Sequence, residues 1–285
     1  MKTLLEMLHY KRPHLSTFEE IFIDSYLRPL PGFYQDEFGN GIVRVGDSPI
    51  MWSCHTDTVH STDGFQTVNL SEDGTVTSDG SCLGGDNTVG VFLMHQMILN
   101  CVPGLYVFHR GEECSRLGSE WIARNSPDLL SGIEFSIAFD RRGYKSIITH
   151  QSMQRTASEL FATQMSTLLG MGHESDDGGL YTDTYSYADL IPECTNISAG
   201  FINEHTSKES VFLPYVASLL DKLLTVDFSI LTSHRDPNES LYAPYYQTDY
   251  DNLADYIYRY PDETAEYLRC LGITIDEIRD YDKHR

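Results

Sequence analysis

The chain predicts an α/β fold of three layers, a largely parallel mixed sheet with helices on both faces. Two observations carry that reading. Short, largely apolar runs at residues 50–54, 105–108 and 133–139 have the length and bounding of buried strands, and Thr195-Asn196-Ile197-Ser198 reads as a further strand. Helical patterns at residues 87–99 and 115–124 fall between them. Strand and helix alternating at this spacing mark βαβ units, because parallel neighbours need a crossover of about a dozen residues or more.

At the amino end, residues 15–27 open with Ser16 and carry Glu19 three positions on, a capping box, and Phe18, Ile21, Phe22 and Tyr26 recur at helical spacing. Pro31-Gly32 signals a turn, and Gly39-Asn40-Gly41 reads as a tight turn leading into a strand. The central strands and helices follow, then a helix expected over residues 207–224. The last fifty residues are acidic and rich in tyrosine, with Pro261 and Gly272 as punctuation and two or three short helices fitting residues 249–281. These features divide the chain into a main domain, 1–230, and a helical appendage, 231–285, packed on the same domain.

With 41% hydrophobic and 22% charged residues, 285 residues can bury a large core. Twenty basic against 42 acidic residues give a net charge of −22, which repels nucleic acid and anionic membrane surfaces. No stretch approaches the roughly 20 apolar residues that cross a bilayer. The first residues read as a helix start, not a signal peptide. The six cysteines show no CxxC spacing, which argues against a thiolate metal site or a disulfide framework and suits a reducing, cytoplasmic setting. No Gly-x-Ser-x-Gly elbow and no HExxH helix is present.

Potential metal ligands cluster by position. His55 follows the strand at 50–54, Glu112 and Glu113 follow the strand at 105–108, Asp140 ends the strand at 133–139, and His205 follows the strand near Ile197. Asp86 sits on a glycine-rich loop, Gly84-Gly85-Asp86, that opens a helix. The carboxyl edge of an open α/β sheet is where ligands bind. Imidazole and carboxylate suit Zn²⁺, Mn²⁺ or Co²⁺, and two ions are best served by one shared carboxylate. Asp86 is the natural bridge, with His55 and Asp140 completing one ion and Glu113 and His205 the other. Asp57 can orient the His55 imidazole. Glu112, left unligated, is placed to take a proton from a bridging water and pass it to a leaving amine.

His55-Thr56-Asp57-Thr58-Val59, Gly84-Gly85-Asp86-Asn87, Gly111-Glu112-Glu113, Asp140 and the segment around His205 resemble, in order, the metal signature of co-catalytic dizinc exopeptidases. That superfamily includes aminopeptidases, tripeptidases and glutamate carboxypeptidases. Asp36-Glu37-Phe38-Gly39-Asn40 is similar to the turn that precedes its first metal strand. The resemblance covers roughly residues 15–225. It implies a zinc-exopeptidase-like, phosphorylase/hydrolase-like fold, two divalent ions, foremost zinc, and hydrolysis of a terminal amide bond in a small peptide. An N-deacylase or amidohydrolase on a non-peptide amide would use the same residues, and a non-catalytic binding protein is a further reading. Only 65 positions separate Asp140 from His205, too few for an inserted lid or dimerisation domain. The single-domain aminopeptidase form, as a monomer, is therefore expected. The lid's oxyanion donor then needs a replacement, for which His173 and Tyr181 are candidates. The Thr182-Asp183 pair is expected in a supporting role, and Asn87, where relatives often carry an acid, is expected to matter little.

Overall fold

A computed structural model describes residues 1–238. In chain order the strands that position the site are β1 (Tyr34–Gln35), β2 (Gly41–Val45), β3 (Ile50–His55), β4 (Val68–Leu70), β5 (Thr75–Ser78), β6 (Gly104–His109), β7 (Phe135–Arg141), β8 (Ser146–Ile148), β9 (Glu174–Asp176), β10 (Glu193–Ser198), β11 (Phe201–Ile202) and β12 (Ser210–Phe212). Among them run α1 (Lys2–Met7), α2 (Thr17–Phe22), α3 (Gly85–Leu99), α4 (Leu117–Asn125), α5 (Glu159–Leu169) and α6 (Leu213–Thr225).

The central sheet has eight strands in the order β9-β8-β10-β7-β3-β6-β2-β1. Its middle, β10-β7-β3-β6, is parallel throughout, and β2 and β1 add antiparallel at one edge. Every residue of β3 and of β6 is buried, as strands covered on both faces must be. Successive side chains enter different cores. Trp52, Cys54, Tyr106 and Phe108 join the larger cluster with residues of α1, α3, α5 and α6. Met51, Leu105 and Val107 join a smaller one on the other face, with Ile122 of α4 and Tyr187. The expected three-layer α/β architecture is the one observed.

A second sheet, β11-β12-β5-β4, is antiparallel and lies beyond the end of β10. Its strand β12 explains one difference from the sequence reading: α6 begins at Leu213 and not near residue 207, because residues 210–212 pair with β11 and β5. Likewise α4 starts at Leu117, since Ser115 and Arg116 have φ of +73° and +59° and cannot continue a right-handed helix. Ser16 caps the helix as expected, its Oγ accepting from Glu19 N at 3.1 Å, while the Glu19 carboxylate accepts from Leu15 N at 2.8 Å and not from Ser16 N; the regular helix ends at Phe22 and residues 23–27 continue in a wider coil. Residues 231–238 run against the main domain, where the Arg235 guanidinium donates to the Ala188 and Ile191 carbonyls. The helices expected over 249–281 lie outside the described residues. Among the described residues no helix is long and apolar enough to cross a membrane.

Candidate metal centre

Parallel register places the chemistry. His55, the last residue of β3, stands beside His109, the last of β6, and β7 runs alongside so that Ser53 faces Ala138. The chain therefore releases Gly111-Glu112-Glu113 and presents Asp140 at the same carboxyl edge as His55. The Gly84-Gly85-Asp86 loop and the turn carrying His205, which follows the short β11 and not β10 directly, close over that edge.

Asp86 lies between two imidazoles. Its Oδ1 is 3.0 Å from His55 Nε2, and its Oδ2 is 3.3 Å from His205 Nε2. His55 Nε2 is also 3.2 Å from Asp140 Oδ1, and His205 Nε2 is 3.0 Å from Glu113 Oε1. The five residues proposed as ligands from sequence thus come together as two sets that share Asp86. Donor atoms of His55, Glu112 and Asp140, and separately of His55, Asp86 and Glu113, fall within 4.8 Å of one another.

Asp57 is buried and acts through two groups. Its carbonyl is 3.0 Å from His55 Nδ1, and its carboxylate accepts the backbone N–H of Gly111 at 2.9 Å and of Glu112 and Glu113 at 3.2 Å. One side chain therefore fixes the loop that carries both glutamates while its main chain orients the imidazole.

The charges in this cluster repel. Burial, and then the charge of Asp86, pushes the Asp140 carboxyl up to about 7. Burial, then Asp140 and Glu113, raises Glu112 well above the ordinary glutamate range, and burial also raises Glu113. Burial opposes the charged form of Asp86 too, but hydrogen bonds to His205 and His55 win and hold it low. For His55, burial disfavours the imidazolium, yet Asp140, Asp57 and Asp86 together hold its pKa well above the ordinary value. Four carboxylates and two imidazoles converging here form a donor set that divalent cations would neutralise. The all-nitrogen-and-oxygen set, lacking thiolate, fits Zn²⁺, Mn²⁺ or Co²⁺.

The centre opens onto a small cleft of about 80 Å³ lined by Asp86, Glu112, Asp140 and His205, with Arg141, Tyr181 and Glu204 on its walls. Of the two oxyanion candidates, Tyr181 lines this cleft, under the Arg116 guanidinium at 4.7 Å from its ring centre. His173 does not; it is buried and bonded to the Tyr215 hydroxyl at 2.8 Å.

Sequence reasoning missed most of the groups that brace Asp140. Asn87 Nδ2 donates to Asp140 Oδ1 at 2.6 Å, and its own Oδ1 accepts from Gly90 N at 2.9 Å. The expectation that Asn87 matters little is corrected here: an amide at this position supplies a donor where an acid would add repulsion. Thr182 Oγ1 donates to Asp140 Oδ2 at 2.6 Å, and Asn196 Oδ1 accepts from Asp140 N at 2.8 Å. Asp183 faces inward to His109 Nδ1 at 3.2 Å. The partners of Asp140 lie tens of positions away in the chain, so local pattern does not reveal them, although the Thr182-Asp183 pair was a partial signal.

Several solved structures share the architecture. A tripeptidase from Staphylococcus aureus superposes with a TM-score of 0.63 at 14% identity, over 78% of this chain and 95% of that one. The aminopeptidase PepT from Bacillus cereus gives 0.62 at 12% identity, over 78% and 96%. A TET peptidase of Pyrococcus horikoshii gives 0.56 at 14% identity, over 78% and 98%, and that protein can assemble into a tetrahedron or a large octahedral shell. The chain has the fold of these peptidases. No protein-family profile and no curated protein sequence matches it.

Proposed function

We propose that the protein is a metal-dependent hydrolase of terminal amide bonds, an aminopeptidase-type exopeptidase acting on small peptides. The observation that carries this reading is the Asp86 carboxylate, 3.0 Å from His55 Nε2 on one oxygen and 3.3 Å from His205 Nε2 on the other. A carboxylate with one oxygen towards each of two imidazoles is the arrangement a shared ligand of two ions requires. His55 and Asp140 would hold one ion, Glu113 and His205 the other. The fold shared with a tripeptidase and aminopeptidases supports the same choice.

Bound there, two divalent ions supply Lewis acidity for a carbonyl and lower the pKa of water. The chain's own residues do the rest. Glu112, on the cleft wall, has its affinity for a proton raised by burial and by its acidic neighbours, which suits a group that takes a proton and returns it to the leaving nitrogen. Asp57 keeps Glu112 in place through the backbone and keeps His55 in one orientation.

The test is hydrolysis of a dipeptide and of its N-acetylated form by zinc-loaded protein, with and without a chelator. Chelator-sensitive cleavage of the free-amine substrate alone is expected. Cleavage of only the acylated substrate would make the protein a deacylase, and cleavage of neither, in a protein holding two ions, would sink the hydrolase reading.

A further inference from the structure

Glu209 is a buried acid outside the set that the sequence singled out, and it spans the two loops closing the centre. Its side chain is 2% exposed. Its Oε2 accepts the backbone N–H of Leu83 at 2.7 Å and of Gly84 at 2.8 Å, and its Oε1 accepts that of Asp86 at 2.9 Å. Its own backbone N–H donates to the Thr206 carbonyl at 3.1 Å, within the turn that carries His205. The stem thus begins beside one imidazole, and the carboxylate ends on the main chain of the residue that faces both.

The loop is shaped around this carboxylate. Gly84 has a φ of +73°, and a Cβ on Gly85 would lie 2.6 Å from Val211 Cγ2 and 3.1 Å from Glu209 Oε1. The two glycines let three amides converge on one acid just ahead of the regular part of α3, since Asp86 and Asn87 themselves are non-helical. We propose that Glu209 is a positioning residue for metal binding, holding the Asp86 main chain so that each carboxylate oxygen meets its imidazole. This rests on the two-metal reading above. The role needs a carboxylate: a glutamine offers one acceptor oxygen, and its amide N–H₂ would confront a backbone N–H.

Glu193 supplies a control. It is also fully buried and accepts backbone N–H groups, from Ser158 at 2.6 Å, His234 at 2.7 Å and Arg235 at 3.1 Å, but touches no part of the metal centre. The experiment titrates chelator-stripped full-length protein with Zn²⁺ against a chromophoric competitor, and follows thermal unfolding of the same samples. Glu209→Gln is expected to weaken zinc binding by about 10–100-fold. Glu193→Gln should lower the unfolding midpoint and leave zinc affinity unchanged. Should Glu209→Gln fail to fold, Glu209→Asp keeps the charge but withdraws it by one methylene, and a severalfold loss of affinity is expected. Wild type binding two ions while a folded Glu209 variant binds them equally well would overturn the positioning role. Wild type binding no zinc would instead overturn the metal-centre reading beneath it.

Discussion

The two halves of the centre are built differently. His55 and Asp140 stand on adjacent strands of the central sheet with side chains 1% and 7% exposed. His55 leans on Asp57, and Asp140 is held by Asn87, Thr182 and Asn196. Glu113 and His205 stand on loops, the His205 side chain is 30% exposed, and its backbone sits at a φ of +61°. The inner half inherits its geometry from strand register; the outer half depends on turns. Since strand ends position ligands more rigidly than loops do, the inner ion is expected to bind more tightly and the outer one to exchange faster.

Glu112 gives the sharpest test of this division, because its carboxylate lies within 4.8 Å of donor atoms of His55 and Asp140. As the base, Glu112→Gln should lower kcat by about 10²–10⁴-fold while metal analysis still finds both ions. Loss of an ion along with turnover would make Glu112 an inner ligand instead. The next largest effect separates the halves directly. By mass-spectrometric metal analysis, His205→Ala should retain about one ion per chain and His55→Ala essentially none. Equal metal content in the two variants would break the asymmetry. Thr182→Val removes a hydrogen bond to a buried carboxylate and should weaken the inner ion about tenfold, leaving the outer one unchanged, as read by zinc competition.

The smallest effect is one of pH. Asp140 is raised from 3.8 to about 7, so its neutral form stabilises the metal-free fold below its ordinary pKa, and this contribution fades as pH rises through about 7. The raised pKa values of Glu112, Glu113 and His55 act in the same direction, while Asp86, held low, is ionised in folded and unfolded protein alike above about pH 5 and leaves the trend unchanged. The unfolding midpoint of chelator-stripped protein should therefore drop by a few degrees between about pH 5 and about pH 8, and zinc should restore it. A midpoint that rises over this range without metal would contradict the repulsion at the centre.

The central strands were legible because their signals are local: β3, β6 and β7 are mostly apolar runs, buried along all or most of their length. Element ends were less so. The left-handed pair Ser115 and Arg116 delays α4, and pairing of Val211 and Phe212 with a strand more than 130 positions earlier delays α6; neither shows in hydrophobic periodicity. The candidate site divides the same way. Its acids and imidazoles announce themselves by type and by strand-end position. The groups that hold them do not, because an asparagine, a threonine or a glutamate reaching across 42 to 126 positions to one carboxylate or one loop looks like any polar residue until the chain is folded.

Asp57 has a practical consequence. Because its carboxylate grips the main chain of Gly111, Glu112 and Glu113, the path of that loop does not depend on which side chain stands at position 112. Glu112 can be disarmed without dismantling its surroundings. A Glu112→Gln protein would then serve as bait, retaining uncleaved peptides from a cell extract for identification by mass spectrometry and letting the molecule report its own substrate.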